Sequence, residues 1–150
     1  MKGDIVPQGA KNEALQIISA VLLTPEKVTI SNIPDIIDVN LLIDLLGDMG
    51  VKIDRIQRDK CVFQADQVDL DFLQSEAFRN KSGRLRGSVM TAGPMLARFK
   101  KAFIPKPGGD KIGRRRLDTH IVGFEKLGAG FTYHSEDGLF SPAGFAFKRG

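Results

Sequence analysis

The residues with the clearest capacity for chemistry lie in segment 105–120, PKPGGDKIGRRRLDTH. One carboxylate, Asp110, is followed there by four cations, Lys111 and Arg114 to Arg116. The paired glycines and the two prolines predict a loop that has a stiff stem and can close over a ligand. The Asp110 carboxyl group could exchange a proton with a substrate in a closed loop, or it could be a turn aspartate beside a solvated basic patch.

Two further cations stand where helices are predicted to begin. Lys11 belongs to GAKN at 9–12, and Arg86 belongs to RLRGS at 84–88. A cation beside the free N–H groups of a helix start favours phosphate or carboxylate, and the planar guanidinium of arginine binds either group through two hydrogen bonds. A solvated lysine and a loop arginine are the simpler alternatives, and the residues alone leave both open.

Other common kinds of site have no signal in the sequence. The single cysteine, Cys61, excludes an internal disulfide and is predicted to be a buried strand residue in CVFQA. His120 and His134 are isolated histidines, and no spacing of Cys, His and Asp matches a known metal site, so no metal site is predicted. Neither a GxxxxGK[ST] loop nor a Ser-His-Asp signature occurs.

The composition is that of one globular domain or part of a larger one. The chain has 150 residues and a net charge of +4, and the five cations Lys106, Lys111 and Arg114 to Arg116 cluster within 106–116. Such a local excess favours an anion site over a broad nucleic-acid surface, although a small nucleic-acid-binding module remains a competing interpretation. Because no apolar run approaches membrane-spanning length and the first residues are unlike a signal peptide, we expect a cytoplasmic protein.

The apolar periodicity predicts alternating helices and strands, and therefore an α/β fold. Asn12 and Asp38 are predicted N-caps, Gly50 is a predicted helix stop, and Pro94 is predicted to kink its helix. Helices are expected at 12–23, 38–50, 88–101 and 119–130, and strands at 27–33, 51–56, 61–65, 102–106, 130–135 and 139–144.

The pattern also repeats along the chain. Gly50 and Gly128 follow two predicted helices and are 128 − 50 = 78 residues apart, while Lys11 and Arg86 are 86 − 11 = 75 residues apart. We therefore predict two copies of a βαβαββ unit, at about 9–70 and about 82–147, with a cation at the same place in each.

Three stretches in this order, GAKN, LRGS…GPMLARF and PGGDKIGRRRLDTH, resemble the UDP-N-acetylglucosamine 1-carboxyvinyltransferase family of enolpyruvyl transferases. The resemblance runs from GAKNEAL to KLGA, which is most of the chain. It implies an α/β domain of repeated βαβαββ units around inward helices, of which this chain would hold two of the first domain's three units. The second domain would be absent, so the missing C-terminal part would be a required partner and this piece alone would be inactive.

The resemblance implies transfer of the enolpyruvyl group from phosphoenolpyruvate to the 3′-hydroxyl of UDP-N-acetylglucosamine, with release of phosphate. This is the first committed step of peptidoglycan synthesis, and thus serves the cell wall, cell shape and cell division. The implied partners are these two substrates, without a cofactor, metal, nucleic acid or membrane.

The resemblance also assigns roles to individual residues. Asp110 takes the position of the proton donor, where the family usually has cysteine. An aspartate lacks the thiol that fosfomycin alkylates, so we expect insensitivity to that antibiotic. The implied phosphoenolpyruvate-binding residues are Lys11, Asn12 and Arg115, and the implied UDP-N-acetylglucosamine-binding residues are Arg86, Arg115, Arg116, Leu117, Asp118 and Thr119.

Two alternative interpretations of the sequence remain open. A 5-enolpyruvylshikimate-3-phosphate synthase-like enzyme would be expected to show GSKS-type and GNAGT-type stretches, whereas this chain has GAKN and LRGSVM. A non-catalytic fragment that binds anions or nucleic acid would share the basic segment without the reaction.

Overall fold

The computed structural model describes residues 3–5, 7–105, 117–134 and 139–145. Helices and strands alternate along it, as the periodicity predicts. The helices are α1 (Lys11–Ala20), α2 (Ile37–Asp48), α3 (Glu76–Arg84), α4 (Ala92–Phe99) and α5 (Asp118–Lys126), with short 3-10 helices at Val21–Leu23, Phe72–Gln74 and Arg86–Thr91. The strands are β1 (Lys27–Ile30), β2 (Lys52–Gln57), β3 (Lys60–Gln64), β4 (Ile104–Pro105), β5 (Ala129–His134) and β6 (Leu139–Phe145).

The described strands form two three-stranded sheets of the same topology. One sheet has the order β1-β3-β2 and the other has the order β4-β6-β5, and neighbouring strands are antiparallel in both. The first two strands of each sheet are therefore parallel to each other, with a helix between them in sequence and the third strand inserted between them in space. The predicted α/β fold class is confirmed.

The hydrophobic core lies where the helices pack on the first sheet. Ile18 of α1, Leu42 and Leu46 of α2, and Phe63 of β3 are all inaccessible to solvent. Cys61 is also fully buried on β3, as predicted, and this burial raises the pKa of its thiol. The alternation of buried and partly buried residues along β3 places Cys61 and Phe63 on the same face.

The predicted helix ends are partly right. Gly50 ends α2 in the left-handed region at φ 91°, and the Val51 N–H donates to the Leu46 carbonyl at 3.0 Å, which confirms the predicted stop. The two predicted N-caps are wrong. Asn12 lies inside α1, where Ala10 holds the N-cap position, and Asp38 lies inside α2, where Ile36 holds it.

The predicted single helix at 88–101 is wrong in its form. The chain first makes the 3-10 helix Arg86–Thr91 and then α4, which ends at Lys100 in a left-handed conformation. Pro94 lies in the first turn of α4, where a missing N–H costs no helical hydrogen bond, so the expected kink has no cause. Helix α3 was not predicted; Ser75 caps it by accepting from the Phe78 N–H at 3.0 Å.

Arg98 of α4 connects the second half of the chain to the first. Its Nη1 atom donates to the Leu22 carbonyl at 3.1 Å and to the Ala65 carbonyl at 2.8 Å. The guanidinium also lies 4.7 Å from the centre of the Phe99 ring. These contacts fix α4 against the end of the first helical segment and the end of β3.

Candidate anion-binding site

A cavity of about 310 Å³ lies between the start of α1, the start of α2, the 3-10 helix Arg86–Thr91 and the start of α5. Both halves of the chain therefore contribute to its walls. Its described lining residues are Lys11, Asn12, Leu15, Gln16, Asp38, Arg86, Gly87, Val89, Met90, Leu117 and His120.

One face of α1 supplies the first wall. Lys11, Asn12, Leu15 and Gln16 fall on one side of the helix because residues three or four positions apart share a face. Leu15 is buried and joins the core, whereas the three polar residues are exposed. The helix thus presents one ammonium group and two side-chain amides to the cavity, next to the apolar side chain of Leu15.

Gly87 brings the second cation to the same cavity. A Cβ atom at position 87 would lie 2.9 Å from Cδ1 of Leu15, so the missing side chain permits the 3-10 helix to pack closely on α1. Arg86, the first residue of that 3-10 helix, thereby lines the cavity with Lys11. Among the described residues the Arg86 guanidinium has no hydrogen-bond or ion-pair partner, and its planar shape suits phosphate or carboxylate.

Asp38 is a cavity residue that the sequence interpretation missed. The Lys11 Nζ atom donates to Asp38 Oδ2 at 2.9 Å, and both side chains are about half exposed. Asp38 was predicted to cap a helix, but it instead forms an ion pair with Lys11. An ion pair between residues far apart in sequence leaves no local sequence pattern. Since the described lining holds Lys11, Arg86 and one carboxylate, the cavity favours an anionic ligand.

Gly9 fixes the position from which α1 starts. A Cβ atom there would overlap the carbonyl oxygen of Asn32 and lie 3.3 Å from Cδ of Pro34. Asn32 itself has a positive φ of 59°, so the segment after β1 turns sharply beneath GAKN. The glycine of this motif therefore allows the close backbone contact that places Lys11 and Asn12 at the cavity.

The segment predicted to bind the sugar nucleotide is described only from residue 117 onward. Leu117 is buried and lines the cavity, whereas Asp118 and Thr119 are exposed and are not among the lining residues. Their roles stay predictions, as do those of Asp110, Arg115 and Arg116, which lie outside the described residues.

His120 also lines the cavity, and the sequence interpretation gave it no role. The signal that could have found it is its spacing from Leu117, because residues three apart at the start of a helix lie on the same side.

The carboxyl groups whose pKa values are lowered lie outside the cavity lining. Hydrogen bonds from Asn40 and Arg58 lower the pKa of Asp35, and a hydrogen bond from Lys52 at 2.7 Å lowers that of Asp66. Both groups connect surface segments, so they serve the fold rather than the cavity.

Neither a metal-binding cluster nor a membrane-spanning helix occurs among the described residues. These residues contain no group of three or more His, Cys, Asp or Glu side chains that could hold a metal ion. None of the helices described is both long enough and apolar enough to cross a membrane.

The fold and the cation-lined cavity together indicate the class of protein to which the chain belongs. The structure matches the crystal structure of the enolpyruvyl transferase NikO from Streptomyces tendae with a TM-score of 0.73, at 18% sequence identity. The match covers 95% of this chain and 30% of NikO, and at this identity it establishes the fold alone. The structure therefore has an enolpyruvyl-transferase fold.

The family follows from the sequence comparisons. The family model described as EPSP synthase (3-phosphoshikimate 1-carboxyvinyltransferase) matches residues 1–143, so the chain belongs to that family. A UDP-N-acetylglucosamine 1-carboxyvinyltransferase of Porphyromonas gingivalis is 65% identical over 136 residues, which cover 91% of this chain and 31% of the relative. One of Bacteroides fragilis is 59% identical over 140 residues, covering 93% of this chain and 32% of the relative. The chain thus spans about a third of the length of these curated relatives.

Proposed function

We propose that this chain is the N-terminal portion of an enzyme that transfers the enolpyruvyl group from phosphoenolpyruvate to the 3′-hydroxyl of UDP-N-acetylglucosamine. The observation that carries the proposal is 65% identity to a relative named for that transfer, over 91% of the chain. The cavity supports it, because Lys11 and Arg86 bring two cations together where an anionic substrate would bind. Peptidoglycan synthesis in the cytoplasm is the proposed setting.

The proposed reaction is an addition followed by an elimination. The sugar hydroxyl oxygen attacks C2 of phosphoenolpyruvate while Asp110 gives a proton to C3. The C2–O bond to phosphate then breaks, C3 loses a proton, and the hydroxyl proton leaves overall with inorganic phosphate. Both substrates are anionic, so Lys11, Arg86 and Arg115 would offset their repulsion and hold them in reacting distance.

Within the cavity we assign the phosphoenolpyruvate phosphate and carboxylate to Lys11 and Asn12, which share the start of α1. Arg86 and Leu117 would face UDP-N-acetylglucosamine from the opposite wall. A cavity of about 310 Å³ is at the small end of ligand sites, so the larger substrate would extend beyond the described walls. The missing remainder of the enzyme would complete the site.

We also propose that the two sheets belong to two copies of one repeated unit. The common strand order supports this proposal, as do the positive φ angles of Gly50 and Gly128, at 91° and 96°. Both glycines follow a helix and precede the second strand of their sheet. Lys11 and Arg86, the first residues of equivalent helical segments, would then be equivalent cations that meet in one cavity.

A chimera tests the proposed activity. The matching segment of the Porphyromonas gingivalis relative would be replaced by this chain, and phosphate release would be measured with phosphoenolpyruvate and UDP-N-acetylglucosamine. Turnover that needs both substrates and falls in the Arg86→Ala chimera would support the proposal. A chimera that folds and turns over shikimate 3-phosphate instead would support the alternative that the family description names.

Fosfomycin insensitivity is proposed from Asp110, because a carboxylate replaces the thiol at the predicted loop tip. The chain offers a clean labelling test, since its single cysteine, Cys61, is fully buried. In the chimera, after its other exposed cysteines are replaced, fosfomycin should add no mass to the parent and one equivalent to the Asp110→Cys variant. One equivalent on the parent chimera would contradict the proposal.

A further inference from the structure

A second, smaller cleft lies on the other side of α1. Its volume is about 80 Å³, and it runs between the first turns of α1 and the chain that leaves β1, from Ile30 to Ile33. Lys11 and Glu13 point in directions about 200° apart around the helix, because each residue turns an α-helix by about 100°. The cleft beside Glu13 is therefore separate from the cavity beside Lys11, and no described residue lines both.

The walls of this cleft are largely apolar. Ile17 shares the face of Glu13 one helical turn later and is 45% exposed, while Ile30 and Ile33 belong to the opposite wall. Apolar surface that stays open to water is available to stabilise a contact with another group. Because small-molecule sites usually measure about 300–1,000 Å³, the cleft suits a single side chain better than a free metabolite.

Glu13 determines the charge of the cleft. Its carboxylate is the only charged group among the described lining residues, to which Ser31 and Asn32 add uncharged polar groups. Glu13 is exposed, and among the described residues it has no hydrogen-bond or ion-pair partner. A carboxylate beside apolar walls complements a side chain with an apolar stem and a cationic end, which is the form of lysine and arginine.

We propose that the cleft docks a lysine or arginine side chain from the remainder of the enzyme, in an ion pair with Glu13. The inference rests on the proposed function in that it takes this chain as the N-terminal portion of a longer enzyme, about a third of the length of its relatives. The opposite face of α1 carries Lys11 and Asn12 to the cavity. The docked side chain would thus support the helix that presents these two residues.

A model cation tests the chemistry of the cleft on this chain. n-Butylammonium, which copies the end of a lysine side chain, would be titrated into protein labelled at its isoleucine methyl groups, with n-butanol as the uncharged analogue. We expect the Ile17 and Ile30 methyl signals to shift with the ammonium. Its affinity should be about 3- to 10-fold higher than that of the alcohol, as for one charge-assisted contact.

Two variants show whether Glu13 causes this preference. Glu13→Gln should lower the affinity for n-butylammonium to that for n-butanol. Glu76→Gln, in the first turn of α3 and outside the cleft lining, should behave like the parent. Equal affinities for the ammonium and the alcohol in the parent would overturn the inference, as would the absence of any Ile17 shift.

The chimera with the Porphyromonas gingivalis relative tests which group occupies the cleft. Carbodiimide coupling of glycinamide should modify Glu13 in this chain by itself and leave it largely unmodified in the chimera, where the remainder would cover it. Peptide mass spectrometry measures the modification, with Glu76 as the internal reference. Equal modification of Glu13 in both proteins would overturn the inference. Protection of Glu13 in the chain by itself would also overturn it and would indicate a cation of segment 106–116.

Turnover of the same chimera separates this inference from the proposed function. An active chimera with a fully modified Glu13 would overturn the inference and leave the proposed function standing. A folded but inactive chimera with a protected Glu13 would support the docking contact and contradict the proposed function.

Discussion

The Nζ atom of Lys11 lies 2.9 Å from Oδ2 of Asp38, so the cation proposed to hold phosphoenolpyruvate also has a carboxylate partner within the chain. The two residues come from the starts of α1 and α2, and both line the cavity. An incoming anion must therefore either share Lys11 with Asp38 or displace it. The carboxylate holds the ammonium group at the cavity, but it also opposes an anionic ligand through like-charge repulsion.

Removing the charge of Asp38 and removing that of Lys11 should have opposite effects on anion binding. Asp38→Asn removes the competing charge and should raise the affinity for inorganic phosphate about 3- to 10-fold, whereas Lys11→Ala should lower it about 10-fold. Calorimetric titration measures both. Asp66→Asn is the matched control. It breaks the ion pair between Asp66 and Lys52, whose N–O distance is 2.7 Å and whose residues are not part of the cavity lining. Weaker phosphate binding by Asp38→Asn would mean that the carboxylate chiefly positions Lys11.

The contact of Gly87 with Leu15 predicts a defect in both stability and binding. In Gly87→Ala, the new Cβ would press on Leu15 and push the 3-10 helix that carries Arg86 away from α1. The matched control is Gly83→Ala in α3, where nothing lies within 4 Å and alanine is a better helix former. The free energy of unfolding of Gly87→Ala, measured in urea, should be about 1–2 kcal/mol lower than that of the control. Equal stabilities, with unchanged phosphate affinity, would show that Leu15 yields without moving Arg86.

The sequence predicted most of the helices and strands, but fewer of the tertiary contacts between them. The apolar periodicity of α1 and α2 and the β-branched residues of β1 predicted these elements near their observed bounds. Helix α3 escaped detection because its sequence, EAFRNKSGR, is largely polar, with only Phe78 and Ser82 buried. The segment after Arg86 was expected to be one helix, but close packing against Leu15 accompanies a 3-10 turn there.

For the site, the sequence singled out Lys11 and Arg86 separately, each with a solvated alternative. Their meeting in one cavity depends on the packing of Gly87 on Leu15, a contact between residues 87 − 15 = 72 positions apart. Asp38 was assigned by a local rule for helix starts, whereas its actual partner is 27 positions away. Such pairings arise from tertiary packing, which local patterns do not encode.

Gly9 gives a second steric prediction, at the start of α1. Gly9→Ala places a Cβ against the Asn32 carbonyl, a backbone atom that cannot rotate away, so the segment before α1 must shift. We expect a loss of about 2 kcal/mol in the free energy of unfolding and weaker phosphate binding, because Lys11 and Asn12 move with the helix start. Gly3→Ala is the control, since nothing lies within 4 Å of that position. Parent-like stability of Gly9→Ala would show that this segment adapts freely.

Asp35 predicts how stability depends on pH. Asn40 donates to its Oδ1 at 2.9 Å and Arg58 donates to its Oδ2, so the pKa of Asp35 is lower in the folded chain than in the unfolded chain. The unfolded state then binds more protons, and the stabilisation is complete above the unfolded pKa of about 4 and is lost as pH falls through the lower folded value. Urea unfolding across this acidic range should show a shallower pH dependence for Asp35→Asn. The control, Asp44→Asn on the exposed side of α2, should follow the parent; a parent-like slope for Asp35→Asn would contradict the prediction.

The Arg98 side chain is expected to stabilise the packing of the second half of the chain against the first. Arg98→Met keeps an apolar stem but removes the hydrogen bonds to the Leu22 and Ala65 carbonyls, which belong to fully buried residues. Because the donor is charged and partly buried, we expect a loss of about 2–3 kcal/mol in the free energy of unfolding, measured in urea. Lys101→Met, at an exposed position just after α4, should change it by less than about 0.5 kcal/mol. A similarly small loss in Arg98→Met would mean that water replaces the guanidinium at both carbonyls and that apolar packing alone joins α4 to the first half.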